Sequence, residues 1–178
     1  MLKHKKRIWI VLLIIIVVLM SILVIKISLE SNQKKTESFY NEGMLISLKV
    51  FMRINALPME EDELEDYRKE IDGYYDDFKA LETTSNTADG EAQLEKLFEN
   101  AYAMLNLMEQ VSLENPEVNA YDRFELMVQN QEIYLEYASL LDKKNIPVFE
   151  STVSNVQEIT FDFLEQQKER WRSYDQNP

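Results

Sequence analysis

The sequence predicts an all-α chain, with an N-terminal transmembrane helix followed by an extracytoplasmic antiparallel bundle of four to five helices. Three observations predict it. An uncharged apolar run stretches from Ile8 to Ile25. Beyond it, apolar residues recur at steps of three and four through successive segments of about 25 residues. Pro58, Pro116 and Pro147 fall between those segments rather than inside them.

Residues 1–7 form a basic tail, with Lys3, Lys5, Lys6 and Arg7 set directly before the apolar run. Residues 8–25 form the span. Ile8, Trp9, Leu12, Ile16, Leu19, Leu23 and Ile25 are its membrane-facing residues, and Ser21 is its one polar side chain. At 1.5 Å per residue, eighteen residues make about 27 Å of helix, close to the ~30 Å hydrocarbon core of a bilayer. A cleaved export signal has a shorter apolar region and a small-x-small cleavage site. Here Lys26-Ile27-Ser28-Leu29-Glu30 follow, which favours a retained anchor. The cations before the span place the N-terminus in the cytoplasm, since a large following domain translocates largely regardless of its charge. Trp9 then falls at the inner interface, a setting that suits an indole.

Residues 26–38 read as a juxtamembrane stalk, and 39–178 as the acidic helical domain. A helix from about Asn32 to Leu57 either continues from the span or follows a break, because nothing in SLESNQKKTES forces a stop. After Pro58, Leu64, Tyr67, Ile71, Tyr74, Phe78 and Leu81 make one stripe. Leu94, Leu97, Ala101, Met104, Met108 and Val111 make a second. The third is Val118, Tyr121, Phe124, Met127, Tyr134, Ala138 and Leu141, interrupted by Gln131. The fourth, Phe149, Val153, Val156, Thr160, Phe163, Gln167 and Trp171, carries β-branched residues, and EITFDFL within it is compatible with a short strand. Proline suits a first helical turn, where its missing N–H has no partner to lose. Acids after Pro58 and Pro116 (Glu60, Glu61, Glu117) suit the helix dipole, and Asn115 suits an N-cap. Short connections make sequential helices antiparallel. A solenoid of helix pairs is the alternative, but no 34-residue repeat is present.

The formal charge is −13 overall, and it is unevenly placed. Five Lys or Arg and no acids occupy residues 1–26, leaving fourteen basic and thirty-two acidic residues beyond them, a charge of −18. Such a surface repels nucleic acid and anionic lipid and suits basic proteins, cations or neutral ligands, or else it serves solubility. The chain has no Cys, and its single His4 lies in the basic tail. Thiolate chemistry, Cys-ligated zinc, Ser-His-Asp triads and Glu-x-x-His di-iron sites are thereby unavailable to the domain. No catalytic, cofactor or metal residue is assigned.

The segment GMLISLKVFMRINAL is the most unusual part of the domain. Met44, Leu45, Leu48, Phe51 and Met52 define one apolar face, and Ile46, Val50, Ile54 and Leu57 another. Helices apolar nearly all round are usually central and buried. The functional alternative is a docking face for a partner, with Met44, Leu45, Leu48, Phe51, Met52 and Ile54 as its residues and Met supplying adaptable packing. The acidic run EEDELED with Asp72, Asp76 and Asp77 is a weak calcium candidate, because a rigid helix face seldom converges six to eight oxygens. Aligned as an EF-hand, the loop SNTADG puts Ser85, Thr87 and Lys96 where carboxylates belong, and fails. Paired carboxylates also suit glycoside hydrolysis, but thirty-two acids supply such pairs by chance and a bundle offers little cleft. Tyr74, Tyr75, Phe78, Tyr102, Tyr134 and Tyr137 lie on or beside the stripes, as ordinary core-edge aromatics do. The expected partners are the bilayer and another, basic, protein, with no nucleic acid. The expected role is an accessory subunit of a bacterial envelope, secretion or adhesion complex. A membrane-tethered sensor or toxin inhibitor comes second, and a wall hydrolase third.

Overall fold

The computed structural model describes residues 2–56, 62–111 and 120–176, with backbone alone at several helix ends, residues 2–12 among them. Every regular element among them is an α-helix: α1 (Leu2–Asn55), α2 (Asp62–Lys79), α3 (Ala88–Val111), α4 (Ala120–Lys143) and α5 (Glu150–Gln176). The helix reading of EITFDFL therefore holds over the strand. Pro58, Pro116, Glu60, Glu61, Glu117, Asn115, Leu57 and Val118 lie outside the described residues.

α1 runs unbroken for 54 residues, about 80 Å. The stalk is thus continuous helix, joining the apolar run to the domain without a hinge. One stretch of α1 is long and apolar enough to cross a membrane. From Leu13 to Ile25 its apolar side chains are all about half exposed or more, Val18 least at 49%. A core helix of that hydropathy would be covered by its neighbours. This one is bare until Thr36 and Phe39, where burial begins.

From there on α1 is the centre of the fold and packs against α2, α3, α4 and α5 in turn. α2 lies antiparallel to it, with Glu70 reaching Arg53 near the top and Glu82, just beyond its end, reaching Lys35 near the base. α3 begins at the base, where Gly90 meets Phe39 and Tyr40, and α4 returns to it, where Lys144 meets Asp89. α5 starts beside Asn41 and rises with α1, the one helix its backbone packs closely against among the described residues. The core contains Phe39, Tyr40, Val50 and Ile54 of α1, Tyr67 and Ile71 of α2, Leu94, Leu97, Phe98, Met104 and Leu105 of α3, and Tyr137 and Leu141 of α4. Each such fully buried side chain contributes about 1.5–3 kcal/mol against chain entropy.

The stripes predicted for α2 and α3 match this burial. α3 buries Phe98 and Leu105 as well, because it is flanked by three helices. Two stripes hold in part. In α4, Met127, Tyr134, Ala138 and Leu141 are buried or half-buried as expected, but Phe124 is 63% exposed, and Asn130, Ile133 and Tyr137 share the inward face. In α5, Val156, Thr160, Phe163 and Gln167 are half-buried as expected, while Phe149 and Val153 are exposed and Thr152 is buried. Both helices carry further apolar residues off these stripes, so periodicity alone could not settle every member of the packed side.

The ends are set locally. Thr87 stands at the N-cap position of α3, where its carbonyl accepts from Glu91 N–H at 2.9 Å, and its buried Oγ1 pins the preceding turn by donating to Thr84 O (2.8 Å) and accepting from Thr84 N–H (2.9 Å). α4 closes in a Schellman motif. Asn145 adopts φ 51°, Ile146 N–H donates to Leu141 O (2.9 Å) and Asn145 N–H to Asp142 O (3.1 Å), after which Pro147 bars further helix. Gly43 lets α4 approach α1 closely, since a Cβ there would lie 1.9 Å from Tyr137 Oη.

Candidate functional site

Of the residues singled out in α1, Leu48 and Ile54 are buried, at 4% and 0%, while Met44, Leu45, Phe51 and Met52 are half-buried. The central position of α1 accounts for this: each side of the segment has a helix laid on it. Phe51 stacks on Tyr134 of α4, ring centroids 5.1 Å apart. In this arrangement Ile54 belongs to the core and has no surface to offer a partner. Ile16, Leu19, Leu23 and Ile25, expected to span a membrane, are exposed. Ile8, Trp9, Leu12 and the cations Lys3, Lys5, Lys6 and Arg7 fall in turns of α1 described by backbone alone.

Near the top of α1 a cleft of about 280 Å³ opens between α1, α2 and α5. Lys49, Met52 and Arg53 face Glu70 and Tyr74 across it, with Ile159, Asp162 and Phe163 closing the α5 side. Arg53 Nε sits 2.7 Å from Glu70 Oε2, a charge contact rather than an aligned hydrogen bond, and the guanidinium lies over the Tyr67 ring at 4.9 Å. Lys49 Nζ lies 5.6 Å from the centre of the Tyr74 ring. Burial pushes the Tyr67 and Tyr74 phenols up, with Glu70 adding to both and Arg53 opposing. Two cations, Lys49 and Arg53, and two carboxylates, Glu70 and Asp162, line the cleft, so it is amphipathic without a net charge. Its volume lies at the lower edge of small-molecule sites.

A second hollow, about 500 Å³, lies at the base between Leu29, Asn32 and Thr36 of α1 and the Lys144–Ile146 turn. Lys144 holds this corner: its Nζ reaches Asp89 Oδ2 (3.1 Å) and Asn86 O (3.3 Å) and lies over the Tyr40 ring. Among the described residues no group of three acidic side chains converges as a metal site. The acids Glu65 and Asp66 of the EEDELED run flank Lys69 on an exposed face.

Phe124, Val128 and Leu135 of α4 and Val153, Phe161 and Leu164 of α5 are exposed, at 38–64%. Sequence reasoning put Phe124 and Val153 in core stripes and did not single out the other four. Their steps of four and seven on α4 and of eight and three on α5 are readable in the sequence, but the same steps fit a core stripe. Comparison with known proteins finds no matching family, no matching curated protein and no matching solved structure.

Proposed function

We propose that this chain is a single-pass membrane protein whose antiparallel helical bundle stands outside the cytoplasm as a protein-interaction module. The role is that of an accessory subunit in a bacterial envelope, secretion or adhesion assembly, without turnover chemistry of its own. One observation carries this reading: α1 passes unbroken from a bare apolar run into the centre of the domain. The bundle is thereby built on its own anchor, and any partner it binds is held at a fixed height above the bilayer. The cations before the span support a cytoplasmic N-terminus. The charge of −18 beyond Lys26 supports a basic partner.

Topology supplies the test. In intact protoplasts, added protease should remove the C-terminal domain, and the chain should stay in the membrane pellet after alkaline carbonate. Protection of the domain, or mature protein that begins beyond Lys26 and is free in the medium, would overturn the reading.

A further inference from the structure

The hollow at the base of the bundle has a definite height on α1. The apolar run ends at Ile25, and at 1.5 Å per residue Leu29, Asn32 and Thr36, which line the hollow, stand about 6, 10 and 16 Å above it. The polar layer on each face of a bilayer is about 5–8 Å deep. With the apolar run across the hydrocarbon, the lower end of the hollow falls among lipid headgroups and its upper end stands above them. Below it α1 is bare, because side chains on this helix are buried only from Thr36 upward. Four, three and four residues down from Leu29 come Ile25, Ile22 and Val18, on the same side of the helix and 49–59% exposed. One surface therefore leads from the hollow onto an uncovered apolar helix face.

The polar lining carries one unanswered charge. Lys144 is matched by Asp89, Nζ to Oδ2 at 3.1 Å. Glu37 is half-buried, and its carboxylate accepts from Gln33 Nε2 at 2.8 Å. It has no cationic partner among the described residues. A carboxylate withdrawn from water calls for a cation to cover it. Asn32, Asn86 and Asn145 are exposed around the hollow, and their carboxamides have no hydrogen-bond partner among the described residues. Each offers N–H donors and a carbonyl acceptor. The lining thus suits a ligand that joins an ammonium, for Glu37 and the amide carbonyls, to an acceptor-rich anion for the amide N–H groups.

We infer that the basal hollow holds the headgroup of one phospholipid of the ethanolamine class, with its acyl chains laid along Leu29, Ile25, Ile22 and Val18. The ammonium pairs with Glu37, and the phosphate accepts from the carboxamides of Asn32 and Asn145. A choline headgroup has no N–H to donate to the carboxylate, and a glycerol headgroup brings only negative charge to a domain that already carries −18. The inference rests on the proposed membrane anchoring, which sets the height of the hollow, and adds to it a lipid bound at a specific site. Such a lipid fills the space between the anchor and the bundle and steadies the one on the other.

The test is native mass spectrometry of the full chain in detergent, titrated with phosphatidylethanolamine, phosphatidylcholine and phosphatidylglycerol of identical acyl chains. One phosphatidylethanolamine should be retained per chain, at least about fivefold more tightly than either of the others. Glu37→Gln keeps an acceptor for Gln33 but removes the charge, and should bring phosphatidylethanolamine to within about twofold of phosphatidylcholine. Asn145→Gly suits the left-handed backbone at that turn and removes only the carboxamide, so it should weaken phosphatidylethanolamine at least about threefold. Both variants should leave the circular dichroism melt unchanged. Soluble phosphoethanolamine at millimolar concentration should not displace the lipid, because it has no chains to lie on α1. Equal retention of the three lipids, or an ethanolamine preference that either variant leaves intact, would overturn the inference. So would displacement by soluble phosphoethanolamine, since a water-borne ligand would then own the hollow. A chain that stays in the membrane pellet after alkaline carbonate yet shows no lipid preference removes only the lipid site. Release from the pellet removes the anchoring itself, whatever the lipids do.

Discussion

The glycine at position 43 allows a quantitative test of the packing of α4 on α1. A methyl group there would meet Tyr137 Oη at 1.9 Å, Tyr137 Cζ at 2.7 Å and Leu94 Cδ1 at 3.1 Å. Tyr137 is 1% exposed, so its ring has no solvent into which to swing. Gly43→Ala should therefore force the helices apart, at an overpacking cost of about 1–3 kcal/mol. Against that stands a gain of about 0.5–1 kcal/mol from replacing a mid-helix glycine. The net expectation is a loss of about 1–2 kcal/mol. Gly73 in α2 is the matched control: it is exposed, and a methyl group there meets nothing within 4 Å. Gly73→Ala should keep the whole propensity gain. Urea titration of the full chain in detergent, followed by circular dichroism, would separate the two variants by about 2–3 kcal/mol with opposite signs. Adding Tyr137→Phe to Gly43→Ala removes the nearest atom at the cost of one long contact to Tyr40 O, 3.5 Å, and should restore at least about 0.5 kcal/mol. A Gly43→Ala protein as stable as the wild type, or one that Tyr137→Phe does not help, would refute close packing at this crossing.

Asn41 is 1% exposed and clamps the start of α5, donating from Nδ2 to Pro147 O (2.9 Å) and accepting at Oδ1 from Phe149 N–H (2.9 Å). Because the α5 backbone packs closely on α1 and on no other helix among the described residues, Asn41→Ala should cost about 1–3 kcal/mol locally, seen as faster hydrogen exchange in α5 with α2, α3 and α4 unchanged. Uniform acceleration across all five helices would contradict this. Burial raises the Tyr67 and Tyr137 phenols well above their ordinary range, so both stay neutral in the folded chain where the unfolded chain ionises. Folded molecules then hold more protons, and stability, full below about pH 10, should fall by about 1.4 kcal/mol per pH unit for each of the two phenols above it. Absorbance at 295 nm should show part of the nine tyrosines titrating only with unfolding, and smooth titration of all nine near pH 10 would contradict it.

The helices were legible because their apolar residues keep period, and α2 and α3 pack as their stripes predict, each having one clearly dominant face. Phe124 of α4 and Phe149 and Val153 of α5 were misplaced for a physical reason. Phe124 and Leu135 compete with Ile133 and Tyr137 on equal hydrophobic terms, and only tertiary contact with α1 and α3 decides between them. Asn130, fully buried in α4 with no hydrogen-bond partner among the described residues, runs against any hydropathy rule, and the fold offers no account of it. The Schellman end at KKNIP was readable, since Asn tolerates a left-handed backbone and Pro stops a helix, yet proline alone was weighed there. At the candidate site, the apolar girdle of Met44 to Ile54 correctly marked a central helix. Its neighbours Tyr134 of α4 and Phe163 of α5 belong to other stretches of chain, which only folding brings alongside.

The uninterrupted α1 fixes angle as well as height. With no hinge between Ile25 and Thr36, each residue added to or removed from that interval turns the bundle relative to the apolar run by about 100° and moves it by about 1.5 Å. Four residues inserted there would nearly restore the original bearing, whereas two would swing every surface of the bundle to face the far side. Spacing in this interval therefore sets the compass heading of the bundle with respect to the apolar run below it.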